Sequence, residues 1–158
     1  MRIYIRNFLL ACMIPVMLAM LMFGAPTAFA GETNNTQASL YDRLGGYNAI
    51  AAVVNDLFPR LAGDKKLGRF WRHRGSDGIA REKQLLIDFF AAKSGGQMYY
   101  RGRTMKLLHT DMKIDEKDWR ILITAVNQTL DKFEVPARER KDLLNFIEST
   151  KKDIVEQL

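Results

Sequence analysis

The sequence predicts an all-α chain. Apolar side chains recur at three- and four-residue spacing in four long stretches, no segment alternates apolar and polar residues at period two, and glycine pairs or proline separate the stretches. SLYDRL, residues 39–44, can form a short helix before the Gly45-Gly46 turn. From Asn48, the residues Ile50, Val53, Val54, Leu57, Phe58 and Leu61 line one face of an amphipathic helix. Pro59 removes a ladder hydrogen bond and should bend this helix near its C-terminal end, before Gly63-Asp64 breaks the pattern.

A second helix is expected to start with Ser76 or Asp77 as its cap, to carry Leu85, Leu86, Phe89 and Phe90 inward, and to stop at Gly95-Gly96. Residues 97–104 (QMYYRGRT) are aromatic enough for a strand, yet they are polar and hold Gly102, so they read as a structured loop. Asp115 can cap a third long helix bearing Trp119, Leu122, Val126, Leu130 and Phe133. Val135-Pro136 closes it and opens the last one, whose inner side is Leu143, Leu144, Ile147, Ile154, Val155 and Leu158.

The N-terminus reads as a secretory signal peptide over residues 1–30. Arg2 and Arg6 make a basic start, an apolar run extends from Phe8 to Phe23, and Ala28-Phe29-Ala30 supplies the small-x-small pattern before cleavage. The run contains Pro15 and is shorter than the ~20 residues a spanning helix needs. The expectation is a periplasmic or secreted protein with no membrane span after cleavage; an uncleaved membrane anchor is the alternative. A polar linker over 31–38 then leads into one domain, 39–158.

Residues 31–158 are 128 in number, enough for one domain with a real core. The only cysteine, Cys12, lies in the leader, so the mature chain has no disulfide, no thiolate nucleophile or metal ligand, and no C-x-x-C-H attachment for a covalent haem. Its 22 basic and 18 acidic side chains are interspersed, and this modest excess without a basic stripe argues against a nucleic-acid partner.

There are two histidines, His73 and His109. Neither sits in an H-E-x-x-H pattern, and no G-x-S-x-G or phosphate-binding glycine loop is present. A single imidazole among apolar neighbours is either a satisfied structural histidine or an axial ligand to haem iron in an apolar cleft.

From Ser39 to the C-terminus the chain resembles the truncated haemoglobins, most of all their group I branch. The resemblance rests on an ordered set: Leu40-Tyr41-Asp42-Arg43-Leu44-Gly45-Gly46, the Phe70-Trp71 pair, and Phe89-Phe90 followed by Gly95-Gly96. Tyr100-x-Gly102-x-x-Met105-x-x-x-His109 and Val135-Pro136 complete it. It implies a two-over-two helical sandwich around haem b, with His109 as the proximal ligand to iron. Phe70, Trp71, Phe89, Phe90, Met105 and Leu122 would wall the haem, beside Tyr100. Lys106, with Arg101 or Arg103, would meet the haem propionates or remain a solvated surface cation.

The implied function is reversible binding of oxygen or another diatomic gas such as nitric oxide or carbon monoxide. The alternative is a nitric oxide dioxygenase or peroxidase-like enzyme that needs an external reductant and hence an electron-donor protein. A helical module that kept the scaffold without haem is a third reading, against which His109 weighs.

The distal side departs from the family. Phe58 stands where many members carry a tyrosine, Leu85 and Leu86 where relatives have glutamine or histidine, and Glu82 at the first distal position. These imply a mostly apolar distal pocket with one carboxylate at its entrance, and weaker oxygen retention. His73 is either an exposed loop residue or a sixth ligand that swings in.

Overall fold

The structure, a computed structural model, describes residues 38–156. The leader assigned to residues 1–30, the linker 31–38 apart from its last residue, and Leu158 lie outside the described residues. Among those described there is no strand, and none of the helices is long and apolar enough to cross a membrane.

Among the described residues six α-helices follow in order: α1 (Leu40–Arg43), α2 (Gly46–Gly63), α3 (Ser76–Lys93), α4 (Met105–His109), α5 (Glu116–Lys132) and α6 (Ala137–Ile154). A 3-10 turn, Leu67–Phe70, stands between α2 and α3. Ser39 caps α1 through its hydroxyl, which accepts the Asp42 N–H at 3.1 Å. Helix α2 runs through Pro59 for four more residues before it ends at Gly63. Residues 97–104 contain no regular element, as the Gly102-bearing loop led one to expect.

The start of α3 differs from expectation. Gly75 is its cap residue, and Ser76 and Asp77 occupy the first turn, where Asp77 faces the positive end of the helix dipole. At the other end the Ser94 hydroxyl shares its proton between the Phe90 and Ala91 carbonyls, which also accept the Ser94 and Gly96 N–H groups. Asp115 caps α5 as expected, within a reciprocal capping box: its carboxylate accepts the Asp118 N–H at 2.8 Å, and Asp118 accepts the Asp115 N–H at 3.0 Å. Helix α5 stops at Lys132, which takes Phe133 out of register and leaves it 38% exposed rather than inward.

Helix α2 is the hub. It packs on α3, on α5 and on the 3-10 turn, while α4 packs on α6. Leu57, Leu61, Leu67, Trp119, Val126, Leu130, Leu143 and Ile147 form the main buried cluster, and Ile50, Val54, Ile87 and Ala91 bind α2 to α3 in a second. The arrangement is the two-over-two helical sandwich expected from the sequence, with α2 and α3 against α5 and α6.

Gly68 holds the turn close under the end of α2. A Cβ there would lie 2.7 Å from the Ala62 carbonyl oxygen, a backbone atom that cannot swing aside. Gly68→Ala is therefore expected to destabilise the fold by about 1–3 kcal/mol through overpacking, read as a lower urea midpoint at unchanged slope. An unchanged midpoint would show that the turn yields freely.

Candidate functional site

A cavity of about 210 Å³ separates α4 from the α2–α3 face and reaches α5 and α6. Its wall is almost wholly apolar. Phe58 from α2, Phe70 and Trp71 from the turn, Leu86, Phe89 and Phe90 from α3, Met105 and His109 from α4, and Leu122 from α5 all line it. Phe58 and Trp71 meet edge to face at 5.3 Å, Phe70 and Trp71 at 6.1 Å, and Phe89 and Phe90 at 5.8 Å, so the aromatics brace one another.

His109 stands at the end of the one-turn helix α4, whose start is capped by the Thr104 hydroxyl accepting the Leu107 N–H. Met105 and His109, four apart, share the face turned to the cavity. Beyond His109 the chain reverses through two non-glycine residues at positive φ, Asp111 (65°) and Lys113 (54°), and Ile114 returns to the wall.

The imidazole Nδ1 lies 2.7 Å from the Met105 carbonyl oxygen. A carbonyl can only accept, so Nδ1 carries the proton and Nε2 keeps its lone pair. Burial pushes the His109 pKa below its ordinary value, against the opposing pull of the Met105 carbonyl, so the ring is neutral near pH 7.

The other polar groups of the wall are committed elsewhere. Trp71 donates its indole N–H to Glu82 at 2.7 Å, and Trp119 donates to Glu148 at 3.1 Å. Thr150 donates its hydroxyl to the Ile147 carbonyl at 2.7 Å. Asp118 is gripped by Arg69 and Lys66. Among the described residues His109 Nε2 has no partner, and it is the one strong donor of electrons the wall offers.

Several residues assigned to the site lie elsewhere. Tyr100 packs its ring on the far side of Phe89 at 5.2 Å and donates its hydroxyl to the Arg103 carbonyl; it supports the wall without lining it. A Cβ at Gly102 would fall 2.0 Å from that hydroxyl, which explains the Tyr100-x-Gly102 pattern. Lys106, Arg101 and Arg103 are exposed and have no carboxylate partner among the described residues.

Leu85 is half-buried and points about a quarter-turn off the face made by Leu86, Phe89 and Phe90. Glu82 is on that face but a turn beyond the cavity; its carboxylate holds Trp71 and pairs with Arg74 at 2.6 Å, so it is no free entrance carboxylate. His73 is exposed, outside the wall. Sequence reasoning missed Trp119, Phe146, Met112 and Asp118 as wall residues. Trp119 showed only as a periodic apolar position, which marks burial and not what a residue borders.

The bacterial-like globin family model matches residues 39–156, the whole helical domain. The chain belongs to the truncated haemoglobins of that family. It is 30% identical over 110 residues to the group 1 truncated haemoglobin GlbN of Mycolicibacterium paratuberculosis, covering 70% of this chain and 79% of that one. It is 25% identical to the group 1 truncated haemoglobin of Tetrahymena pyriformis over 77% of this chain and 98% of that one. The ferric crystal structure of a tyrosine-to-phenylalanine variant of the Tetrahymena pyriformis protein superposes with a TM-score of 0.69, at 25% identity, over 76% of this chain and all of that one.

Globins of this family carry haem and bind diatomic gases at its iron. The cavity fits that group on its own chemistry. A flat, largely apolar macrocycle suits a wall of Phe, Leu, Met and Trp, and one neutral imidazole with a free nitrogen suits iron.

Proposed function

We propose that this truncated globin holds haem b non-covalently in the cavity beside α4, with His109 Nε2 as its iron ligand, and binds a diatomic gas reversibly. The observation that carries the reading is the polar inventory of the wall: each polar side chain there is hydrogen-bonded within the protein, save the one nitrogen suited to iron. Bound haem supplies a ferrous iron at which a gas ligand exchanges. The chain's own residues exclude water through the aromatic wall and fix the imidazole through Met105, and the exposed cations Lys106, Arg101 and Arg103, on α4 and just before it, are available to meet propionates.

The only cysteine is Cys12 and there is no C-x-x-C-H, which supports haem b over a thioether-linked haem. The basic start and apolar run of residues 2–23 support export, so the reading places this globin outside the cytoplasm. Titration of the protein with hemin, followed at the Soret band, tests the reading: saturation at one haem per chain is expected, and a folded protein that develops no Soret band would overturn it.

Phe58, buried in α2 against Trp71, offers a bound gas no donor. Phe58→Tyr adds a hydroxyl to the cavity wall and is expected to slow oxygen dissociation about fivefold, the effect of one net hydrogen bond. Stopped-flow displacement of oxygen by carbon monoxide measures it. An unchanged rate would mean that the apolar wall does not set oxygen retention.

A further inference from the structure

Both indoles of the cavity wall hand their N–H to a carboxylate that does not line the cavity. The Trp119 indole N–H donates a hydrogen bond to Glu148, which neighbours Lys151 at 3.8 Å, and that of Trp71 donates to Glu82, which Arg74 holds at 2.6 Å. The Trp71 link is the closer one at 2.7 Å, and it ties the residue after the 3-10 turn to the second turn of α3. Trp71 also meets Phe58 and Phe70 edge to face, which leaves its ring little room to pivot while the N–H is held.

An indole has one polar hydrogen and no acceptor, so its single bond decides what it offers to anything beside it. With that hydrogen turned to Glu82, Trp71 presents only its carbon framework to the cavity. Phe58, Leu86, Phe89 and Phe90 beside it have no donors at all. Glu82 is a quarter exposed and Arg74 about half, so the ion pair between them adds little stability. Its geometric effect is larger, since a carboxylate anchored on its other oxygen cannot turn away from the indole.

We propose that Glu82, anchored by Arg74, is a specificity-determining positioning residue: it captures the Trp71 indole N–H and so keeps the α2–α3 side of the cavity free of donors. The ligand class this favours is the weakly polarised diatomic, nitric oxide or carbon monoxide, over dioxygen, whose bound form gains most from a donor. The inference rests on the haem reading above, and it makes Glu82 act through Trp71 rather than on the ligand itself.

The test compares Glu82→Leu, which removes the acceptor, with Glu82→Gln, whose carbonyl oxygen can still accept the indole N–H. The Trp71 indole cross-peak in 1H–15N spectra reports the capture directly. The C–O stretching frequency of the carbonmonoxy form reports whether a donor reaches the ligand, and oxygen dissociation reports its effect on affinity.

Glu82→Leu is expected to move the cross-peak, lower the C–O frequency and slow oxygen release about fivefold. Glu82→Gln is expected to match the native protein in all three, and Glu82→Leu in a Trp71→Phe background to leave the C–O frequency where Trp71→Phe alone puts it. A Glu82→Leu protein whose cross-peak moves while the C–O frequency and oxygen release stay fixed would overturn the proposal. So would the same frequency shift without Trp71, which would assign the effect to the field of the carboxylate. Should Glu82→Leu not fold, Arg74→Gln, which loosens the anchor, is expected to shift the frequency in the same direction, and no shift there overturns the proposal. Failure of the haem reading looks different, since no variant would then show a Soret band.

Discussion

His109→Ala is expected to abolish stoichiometric haem binding, or to weaken it by well over 100-fold, while leaving the helical fold in place. The removed ring is half-buried, and its Nδ1–H bond to the Met105 carbonyl closes only within α4, so little else depends on it. The affinity change should be large because altering groups that merely orient a metal ligand costs roughly 10–100-fold, and here the proposed ligand itself goes. No other wall residue matches it: the carboxylate of Asp118 is engaged by Arg69 and Lys66, the Thr150 hydroxyl by the Ile147 carbonyl, and the neutral thioethers of Met105 and Met112 are weaker iron ligands than an imidazole.

The pH dependence has a definite sign. Burial holds the His109 pKa below that of a free histidine, so protons compete for Nε2 only at lower pH than usual. Haem affinity should therefore hold to lower pH than it would with an ordinary histidine of pKa near 6.5, and decline only as the medium becomes more acidic than that. Hemin titrations of both proteins, with added imidazole as a rescue arm, measure this. An alanine variant with an unchanged Soret maximum and unchanged carbonmonoxy spectrum would mean that iron is held elsewhere.

The helices and their wall aromatics were legible because each rests on a local pattern. Phe89 and Phe90 follow Leu86 at three and four residues, and Asp115 precedes an amphipathic run as a cap should. Helix α4 leaves no helical signature in the sequence, since five residues are too few to show a period and its exit uses Asp111 and Lys113 at positive φ, where a glycine would have marked the turn. Gly102 was visible as a break, but its cause, the Tyr100 hydroxyl lying over it, is a contact and not a pattern.

The electrostatic partners were hidden for a related reason. Glu82 could be placed on the inner face of α3, yet only the course of residues 71–75 brings Trp71 and Arg74 to it. Asp118 looks like an exposed first-turn acid. Its burial depends on Arg69 and Lys66, which are about fifty residues away and meet it only when the turn after α2 packs on the start of α5.

That carboxylate carries the second large expected effect: Asp118→Asn should destabilise the protein by about 2–3 kcal/mol at pH 7. Asp118 is 1% exposed and accepts from Arg69 on both oxygens, at 2.9 and 2.6 Å, from Lys66 at 2.7 Å, and from the Asp115 N–H. It is both half of the α5 capping box and the post that fixes the 3-10 turn carrying Phe70 to the cavity. Asparagine keeps the volume but turns an NH2 toward one of the cations, leaving donor against donor. Breaking a buried pair costs ~3–5 kcal/mol; Arg69 and Lys66 are each about a third exposed and recover some hydration, which lowers the expectation.

Burial alone would raise the Asp118 carboxyl, but the hydrogen bonds from Arg69, Lys66 and the Asp115 N–H outweigh it and hold the group well below the usual carboxylate range. A folded-state pKa below the unfolded one means that the stabilisation is fully present above the ordinary value near 4 and is lost as pH falls below it. The gap in urea midpoint between native protein and Asp118→Asn should therefore be widest above about pH 5 and narrow steadily toward pH 2. Asp56, held at about 2 by Arg60 and Lys132, titrates in both proteins and cancels from the difference. The comparison is made at equal haem occupancy, because bound cofactor adds to apparent stability. A midpoint gap that stays constant down to pH 2 would trace the loss to packing around the amide and not to the charge on Asp118.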